Sequence, residues 1–311
     1  MEYEQSRGNQ PSGGSYTENF SRQKRGLLVF LLDQSASMNE SATMPGYKLT
    51  LAQMASSILN SLLVTVIDNA ALDTTTGRRK NYCDIIVFGY GDSVAPLLNT
   101  AGVPVPLPDL AENSRGKHTV RRPKYDPIKG NYVTVDEEQP FWIEPVAKSQ
   151  WTEMASAINK AHQAVQGWLH ADPRRRASFP PIIINITDGR HNGAKGDNPV
   201  QEAMKLQQLG TDDGAVLLFN CHITKSNKQS LSFPYDIAQI KSLNLSQQEH
   251  VGAEQLFQMS SEIPPTMAKR AQDVSGTSIS PGARGFIYNA SGEELVRFLS
   301  WGTLVNTEHY R

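Results

Sequence analysis

Three stretches of this chain are apolar almost without interruption over the length of a strand: 26–32 (GLLVFLL), 82–88 (YCDIIVF) and 181–186 (PIIINI). A strand with one wet face alternates polar and apolar side chains. Unbroken apolarity demands cover on both faces, which is the situation of a strand inside a parallel sheet with helices above and below. Two shorter runs, 215–219 and 285–288, have the same character. Between them the periodicity changes to helical. Leu51, Met54, Ala55, Ile58, Leu59, Leu62 and Val66 recur at three- and four-residue steps, as do Met154, Ile158, Ala161, Val165, Trp168 and Leu169 before Pro173. Residues 198–209, 252–260, 265–273 and 293–299 also read as helices. Strands that alternate with helices predict one α/β domain over 25–311, with a doubly wound, mostly parallel, Rossmann-like sheet and helices on both faces.

Two segments depart from that rhythm. Residues 1–24 are rich in Ser, Gly, Asn and Gln and read as a flexible polar tail. Residues 92–150 hold eight of the chain's 18 prolines, which excludes long helices and predicts an insertion of short strands, 132–135 among them, and ordered loops. A loop this long in a compact fold is often functional.

The balance of charge narrows the function. Thirty Lys and Arg against 31 Asp and Glu leave a formal charge of −1, so no global field favours nucleic acid or an anionic membrane. No uninterrupted apolar run reaches the roughly 18 residues of a membrane span, and the polar N-terminus lacks the apolar core of a signal peptide. A cytoplasmic protein without nucleic-acid or membrane partners is expected. Cys83 and Cys221 fall inside apolar strands and read as buried free thiols, which excludes a disulfide scaffold and a cysteine zinc site.

In open α/β sheets ligands bind beyond the carboxyl ends of the strands, where the strand order reverses. The first strand delivers Asp33, Ser35 and Ser37 there, and the third delivers Thr187, Asp188 and Gly189. Each carboxylate directly follows a buried run, and burying a bare carboxylate costs several kcal/mol (order of magnitude) unless donors or a cation meet it. The spacing of two lets the oxygens of Asp33, Ser35 and Ser37 converge. Hard oxygen donors without Cys or His suit Mg²⁺, with Mn²⁺ the alternative, rather than zinc. Two hydroxyls and one or two carboxylates under-fill a shell of about six oxygens, which leaves a place for a carboxylate from a partner.

Asp33-x-Ser35-x-Ser37 after an apolar strand, with Thr187-Asp188-Gly189 ending a later one, resembles the von Willebrand factor A domain and its metal-ion-dependent adhesion site. The resemblance covers about residues 25–303. It implies that Asp33 holds the ion partly through water, that Ser35 and Ser37 ligate it through their hydroxyls, and that Asp188 steadies the water ligands. The family adds a Thr before the helix that precedes the Asp strand. Thr152 matches, with Ser149 as the substitute, because Gln150 and Trp151 replace the usual small, glycine-rich approach. The chain is also similar to the intracellular bacterial, tellurium-resistance-type branch, on the stretch 281–289. That implies a signalling, stress or defence setting, with another protein supplying an Asp or Glu to the metal and a kinase or phosphatase as a candidate partner.

Competing readings concern the same residues. Asp33 to Ser37 could serve as a helix-capping loop, Thr152 as an N-cap, and His191 as a rim histidine. His162 and His170 lack the four-residue metal spacing, and the runs 121–122 and 174–176 read as solvated arginines. A Mg²⁺-dependent phosphatase could use Asp33 as nucleophile, but Ser35 stands where a second Asp would act as acid. No nucleophile elbow of the Gly-x-Ser-x-Gly type occurs. A non-enzymatic, metal-dependent interaction module is the expectation; a fold that binds no metal is the third possibility.

Overall fold

The computed structural model describes residues 14–44, 47–126, 131–189, 191–193, 197–223 and 230–289. The helix expected at 293–299 lies outside the described residues.

The apolar runs become the centre of one sheet. β1 (Gly26–Asp33) is buried along its whole length. A short hairpin, β2 (Ser41–Met44) and β3 (Tyr47–Thr50), leads into α1 (Leu51–Asn69), whose start is closed by a capping box of Thr50 and Gln53. β4 (Cys83–Tyr90) follows, with two edge strands, β5 (Val94–Pro96) and β6 (Val105–Pro106), and the single-turn α2 (Leu107–Glu112). Then come a long ribbon of β7 (Gly116–Asp126) and β8 (Asn131–Phe141), α3 (Met154–Ala171), β9 (Ile182–Thr187) and α4 (Pro199–Leu206). A two-residue hairpin, β10 (Gly210–Thr211) and β11 (Gly214–Ala215), precedes β12 (Leu217–His222) and β13 (Leu231–Ser232). The described chain ends with α5 (Ile237–Lys241), α6 (Gln247–Met259), α7 (Pro265–Ser275) and β14 (Phe286–Tyr288).

The sheet runs β13-β14-β12-β9-β1-β4-β5, with β6 also on β4. The five inner strands, β14 to β4, are mutually parallel, and β13, β5 and β6 pair antiparallel at the edges. One face packs on α1, α2 and α7. The other packs on α3, α4, α5 and α6. The molecule is therefore α/β, doubly wound, with a mostly parallel sheet between two helical layers. From β1 the chain moves outward to β4. It then returns through α3 to β9 on the other side of β1 and continues away through β12 and β14. Strand order thus reverses between β1 and β9, and their carboxyl ends face one crevice.

Cys83 and Cys221 are buried free thiols, as expected. Three features differ from the sequence reading. α1 is long and apolar enough to cross a membrane by length and composition, because small polar residues such as Ser56 and Ser57 interrupt its apolar run without lowering its average much. Within the fold 67% of that window is buried, the signature of a core helix. Within 92–150, the ribbon is more regular than expected, with eleven paired residues on each strand. Its base is fixed by Asn60 of α1, whose amide oxygen accepts from the Trp142 and Ile143 backbone nitrogens at 2.9 and 3.0 Å.

The third difference is the N-terminal segment. From Gly14 to Lys24 it is a docked arm rather than a flexible tail. Asp213 accepts hydrogen bonds from Ser15 Oγ (2.6 Å), Thr17 N (2.9 Å) and Glu18 N (3.0 Å). Thr266 Oγ1 of α7 donates to the Tyr16 carbonyl at 2.8 Å. Phe20 is buried edge-on against Phe179, with its ring over Gly26, where an added Cβ would lie 2.2 Å away. Tyr16 also lies edge-on to Phe179, and Arg270 donates to Asn19 Oδ1 at 2.7 Å; these are single long-range contacts, a signal that periodicity does not reveal. Truncating a buried Phe to Ala costs about 3–5 kcal/mol. Phe20→Ala should therefore lower the unfolding free energy by that order, shifting the denaturant midpoint down, and open residues 14–24 to protease. An unchanged midpoint would show the arm to be ornamental.

Candidate metal centre

The crevice between β1 and β9 holds the residues that the sequence singles out. Asp33 is the last residue of β1, 1% exposed. Both of its oxygens are held: Oδ1 accepts from the Ser35 backbone nitrogen at 2.9 Å, and Oδ2 accepts from Thr187 Oγ1 at 2.7 Å. Thr187 ends β9 and its hydroxyl also accepts from Gly189 N at 3.0 Å. The two strand ends are thereby locked to each other. Among the described residues no lysine or arginine pairs with Asp33.

Ser35 is buried and Ser37 half-buried, and their hydroxyls lie 3.0 Å apart. A capping role does not account for them. Ser35 stands at the N-cap of a 3₁₀ turn, Ala36–Asn39, but its side chain makes no capping bond. The separation fits another purpose. Two neighbouring oxygens in an octahedral shell with bonds of 2.0–2.1 Å lie about 2.9 Å apart. Asp188 is half-buried and close enough to Asp33 to act on it. Burial first, and the Asp188 carboxylate second, push the Asp33 carboxyl up to about 7, against the bonds from Thr187 and Ser35 that pull it down. No group of three or more His, Cys, Asp and Glu converges among the described residues, so any cation here is held by hydroxyls and two carboxylates. That donor set fits a hard divalent ion.

The loop before α3 completes the crevice. Ser149 pairs in parallel with Ser35, and Ala36 N donates to the Ser149 carbonyl at 2.6 Å. The Ser149 side chain lies over Gly91, where an added Cβ would come within 2.1 Å of its Oγ. Its hydroxyl is thus packed on the neighbouring strand's exit. Thr152 is 2% exposed. Its backbone N–H donates to Asn192 Oδ1 at 2.6 Å, and its carbonyl lies 3.0 Å from His191 Nδ1. The N-cap of α3 is Glu153, without a side-chain bond, so Thr152 does not serve as a cap. Sequence reasoning left His191 on the rim and did not single out Asn192, yet both contact Thr152. They join the loop after β9 to the loop before α3.

Behind the crevice, on the face covered by α3 and α6, runs a row of buried polar side chains. Tyr90 Oη donates to Asn185 Oδ1 at 2.8 Å, Asn185 Nδ2 to Asn220 Oδ1 at 2.9 Å, and Asn220 Nδ2 to Ser260 Oγ at 2.9 Å. All four residues are fully buried. The row links β4, β9 and β12 to the end of α6. Isolated Asn and Tyr residues inside apolar strands give no periodic signal, so the sequence does not announce it.

The crowded carboxylates set the pH behaviour of the ion-free protein. Asp33 titrates at about 7 in the fold and near 3.8 otherwise. The native state therefore binds more protons between those values, and stability falls as pH rises from about 4 to 7. In Asp33→Asn the amide can keep both bonds, accepting from Ser35 and donating to Thr187, without the charge. In EDTA its Tm at pH 8 should exceed that of the native sequence by several degrees, at about 2–4 °C per kcal/mol. The two should converge near pH 4. Equal melting curves at pH 8 would contradict this.

No protein-family model and no curated protein sequence matches the chain. Among solved structures it is similar to proximal thread matrix protein 1 from the mussel byssus with a zinc-occupied MIDAS motif, at 15% identity over 65% of this chain and 39% of that one, TM-score 0.37. It is also similar to a von Willebrand factor type A protein from Catenulispora acidiphila, at 10% identity over 77% of this chain and 44% of that one, TM-score 0.36. The manganese-loaded TRAP protein of Plasmodium vivax matches at 17% identity over 66% of this chain and 59% of that one, TM-score 0.32. The chain spans between 39% and 59% of the lengths of these three neighbours.

Proposed function

We propose that this protein is a non-enzymatic, divalent-metal-dependent interaction module of the von Willebrand factor A type. The observation that carries the reading is the pair of serine hydroxyls 3.0 Å apart beside the Asp33 and Asp188 carboxylates, at the strand-order reversal. Ser35, Ser37 and Thr152 would hold the ion through hydroxyls, and Asp33 and Asp188 would hold it through its water ligands. Of the two candidates for the distal ligand we choose Thr152, since the Ser149 hydroxyl packs on Gly91. Mg²⁺ is the ion we propose, with Mn²⁺ as substitute. When bound, the ion supplies a positive centre that offsets the two carboxylates and leaves room for an Asp or Glu from another protein. Asp33 stays oriented by Ser35 and Thr187 throughout.

A phosphatase reading with Asp33 as nucleophile has no observation in its favour. Both of its oxygens are already held, and Ser35 occupies the place of the general acid. The wider setting we propose, a cytoplasmic bacterial signalling, stress or defence system of the tellurium-resistance type with a kinase or phosphatase as candidate partner, rests on sequence resemblance alone.

Metal titration tests the reading. A ligand that binds only the folded state at about 100 times its Kd stabilises by about 2.7 kcal/mol. Saturating Mg²⁺ or Mn²⁺ should raise the Tm of the native sequence measurably, whereas Asp33→Ala and Ser35→Ala/Ser37→Ala should show no rise. Calorimetry without heat, and a Tm indifferent to both ions, would sink the proposal.

A further inference from the structure

The loop before α3 departs from a small-residue approach by carrying Trp151, and the fold makes no use of that side chain. Trp151 is 55% exposed, and its indole makes no hydrogen bond or ring contact among the described residues. The backbone around it is tied at every step. Trp151 N donates to Asp92 Oδ1 at 2.8 Å. The Asn192 side chain spans the residue, accepting from Thr152 N at 2.6 Å and donating to the Gln150 carbonyl at 3.4 Å. Glu153 N donates to the Gly91 carbonyl at 3.0 Å, and the Ser149 carbonyl accepts from Ala36 N at 2.6 Å. A large aromatic on a fixed backbone, one residue from buried Thr152 and bridged through Ser149 to Ser35, is preorganised for contact. The backbone there needs no further ordering, so only the two side-chain torsions of the indole remain to be fixed on binding. Tryptophan is also the residue type most enriched where interface energy concentrates.

We infer that Trp151 is a second anchor beside the metal, and that the partner is a linear segment with an Asp or Glu and a large apolar side chain close to it. This rests on the metal-and-carboxylate reading for the first anchor. The ion selects the acid by charge. The indole selects the neighbour by apolar contact, and Asp92 and Asn192 act as positioning residues that hold the loop. The Trp151 backbone lies two residues from Ser149, which pairs with Ser35, so the apolar side chain should fall within about three positions of the acid, roughly 10 Å of extended chain.

The test is a library of random linear peptides displayed on phage, panned against the full chain in Mg²⁺, in EDTA, and against Asp33→Ala and Trp151→Ala in Mg²⁺. Unchanged melting and an unchanged Mg²⁺ response of Trp151→Ala establish that this variant folds. The native sequence in Mg²⁺ should enrich an acid with Leu, Ile, Met, Phe or Trp nearby. Trp151→Ala should keep the acid and lose the apolar preference. A synthetic consensus peptide should bind Trp151→Ala about tenfold more weakly, and Trp151→Phe should recover most of the affinity. Enrichment of acids without apolar neighbours, with affinity unchanged in Trp151→Ala, overturns the second anchor and leaves the metal reading standing. Apolar peptides without an acid, equal in Mg²⁺ and EDTA, overturn the metal reading and the paired anchors with it. Enrichment of nothing by the native sequence overturns the proposal.

Discussion

The structure turns on the hydrogen bond from Thr187 to Asp33. It joins the ends of two adjacent parallel strands, and those strands carry the chain off in opposite directions. A carboxylate in that position has lost most of its water and faces a second carboxylate, so the fold holds it at a cost. The bonds from Ser35 and Thr187 compensate only in part. A cation bound there, as proposed, would relieve that cost and so couple its binding to stability, as linkage requires. The same tension fixes Asp33 in orientation, because neither of its oxygens can turn without breaking a buried bond.

Much of this was legible in the sequence, and for definite reasons. β1, β4 and β9 announce themselves because burial on both faces leaves no room for polar alternation. Asp33 and Asp188 stand out because they follow such runs directly. The loop residues Ser35 and Ser37 were readable from their spacing. What was not legible depends on single long-range contacts. The arm of residues 14–24 docks through scattered single contacts, Tyr16 and Phe20 on Phe179, and Asp213, Thr266 and Arg270 on the arm's polar groups. α5 is a single turn, too short for periodicity. The ribbon β7–β8 lies in a proline-rich stretch where alternation is weak. His191 and Asn192 take their meaning from Thr152, some forty residues earlier, and nothing local reveals the pairing.

The loop before α3 shows how the two kinds of information combine. Its sequence departs from a small, flexible approach, which alone would cast doubt on Thr152. The structure shows the loop's backbone to be held by hydrogen bonds. Ser149, Asn192, His191 and Asp92 immobilise the backbone that glycines would otherwise have let approach closely. The bulky residue is turned outward, and the buried threonine keeps its place between the two strand exits.

The buried row from Tyr90 through Asn185 and Asn220 has a consequence for how the sheet assembles. β9 is nearly a run of isoleucines, and the first half of β12, Leu217 to Phe219, is also wholly apolar. Apolar side chains of similar shape barely distinguish one alignment of such strands from another two residues along, since both keep the same faces inward. Asn185 and Asn220 stand directly opposite in the observed alignment. A shift of two residues would break the amide–amide bond, setting Asn185 opposite Leu218 or His222 and Asn220 opposite Ile183 or Thr187, at about 1–3 kcal/mol for an amide left unpaired. A slip of the same size between β9 and β1 would slide a strand end by roughly 6.6 Å, enough to part Asp188 from Asp33, and the bond from Tyr90 of β4 to Asn185, reaching across β1, opposes it. The row from Tyr90 through Asn185 to Asn220 thus works as a vernier mark on strands that could otherwise slip, and through its Tyr90 end the interior of the sheet sets the spacing of the charges at its rim.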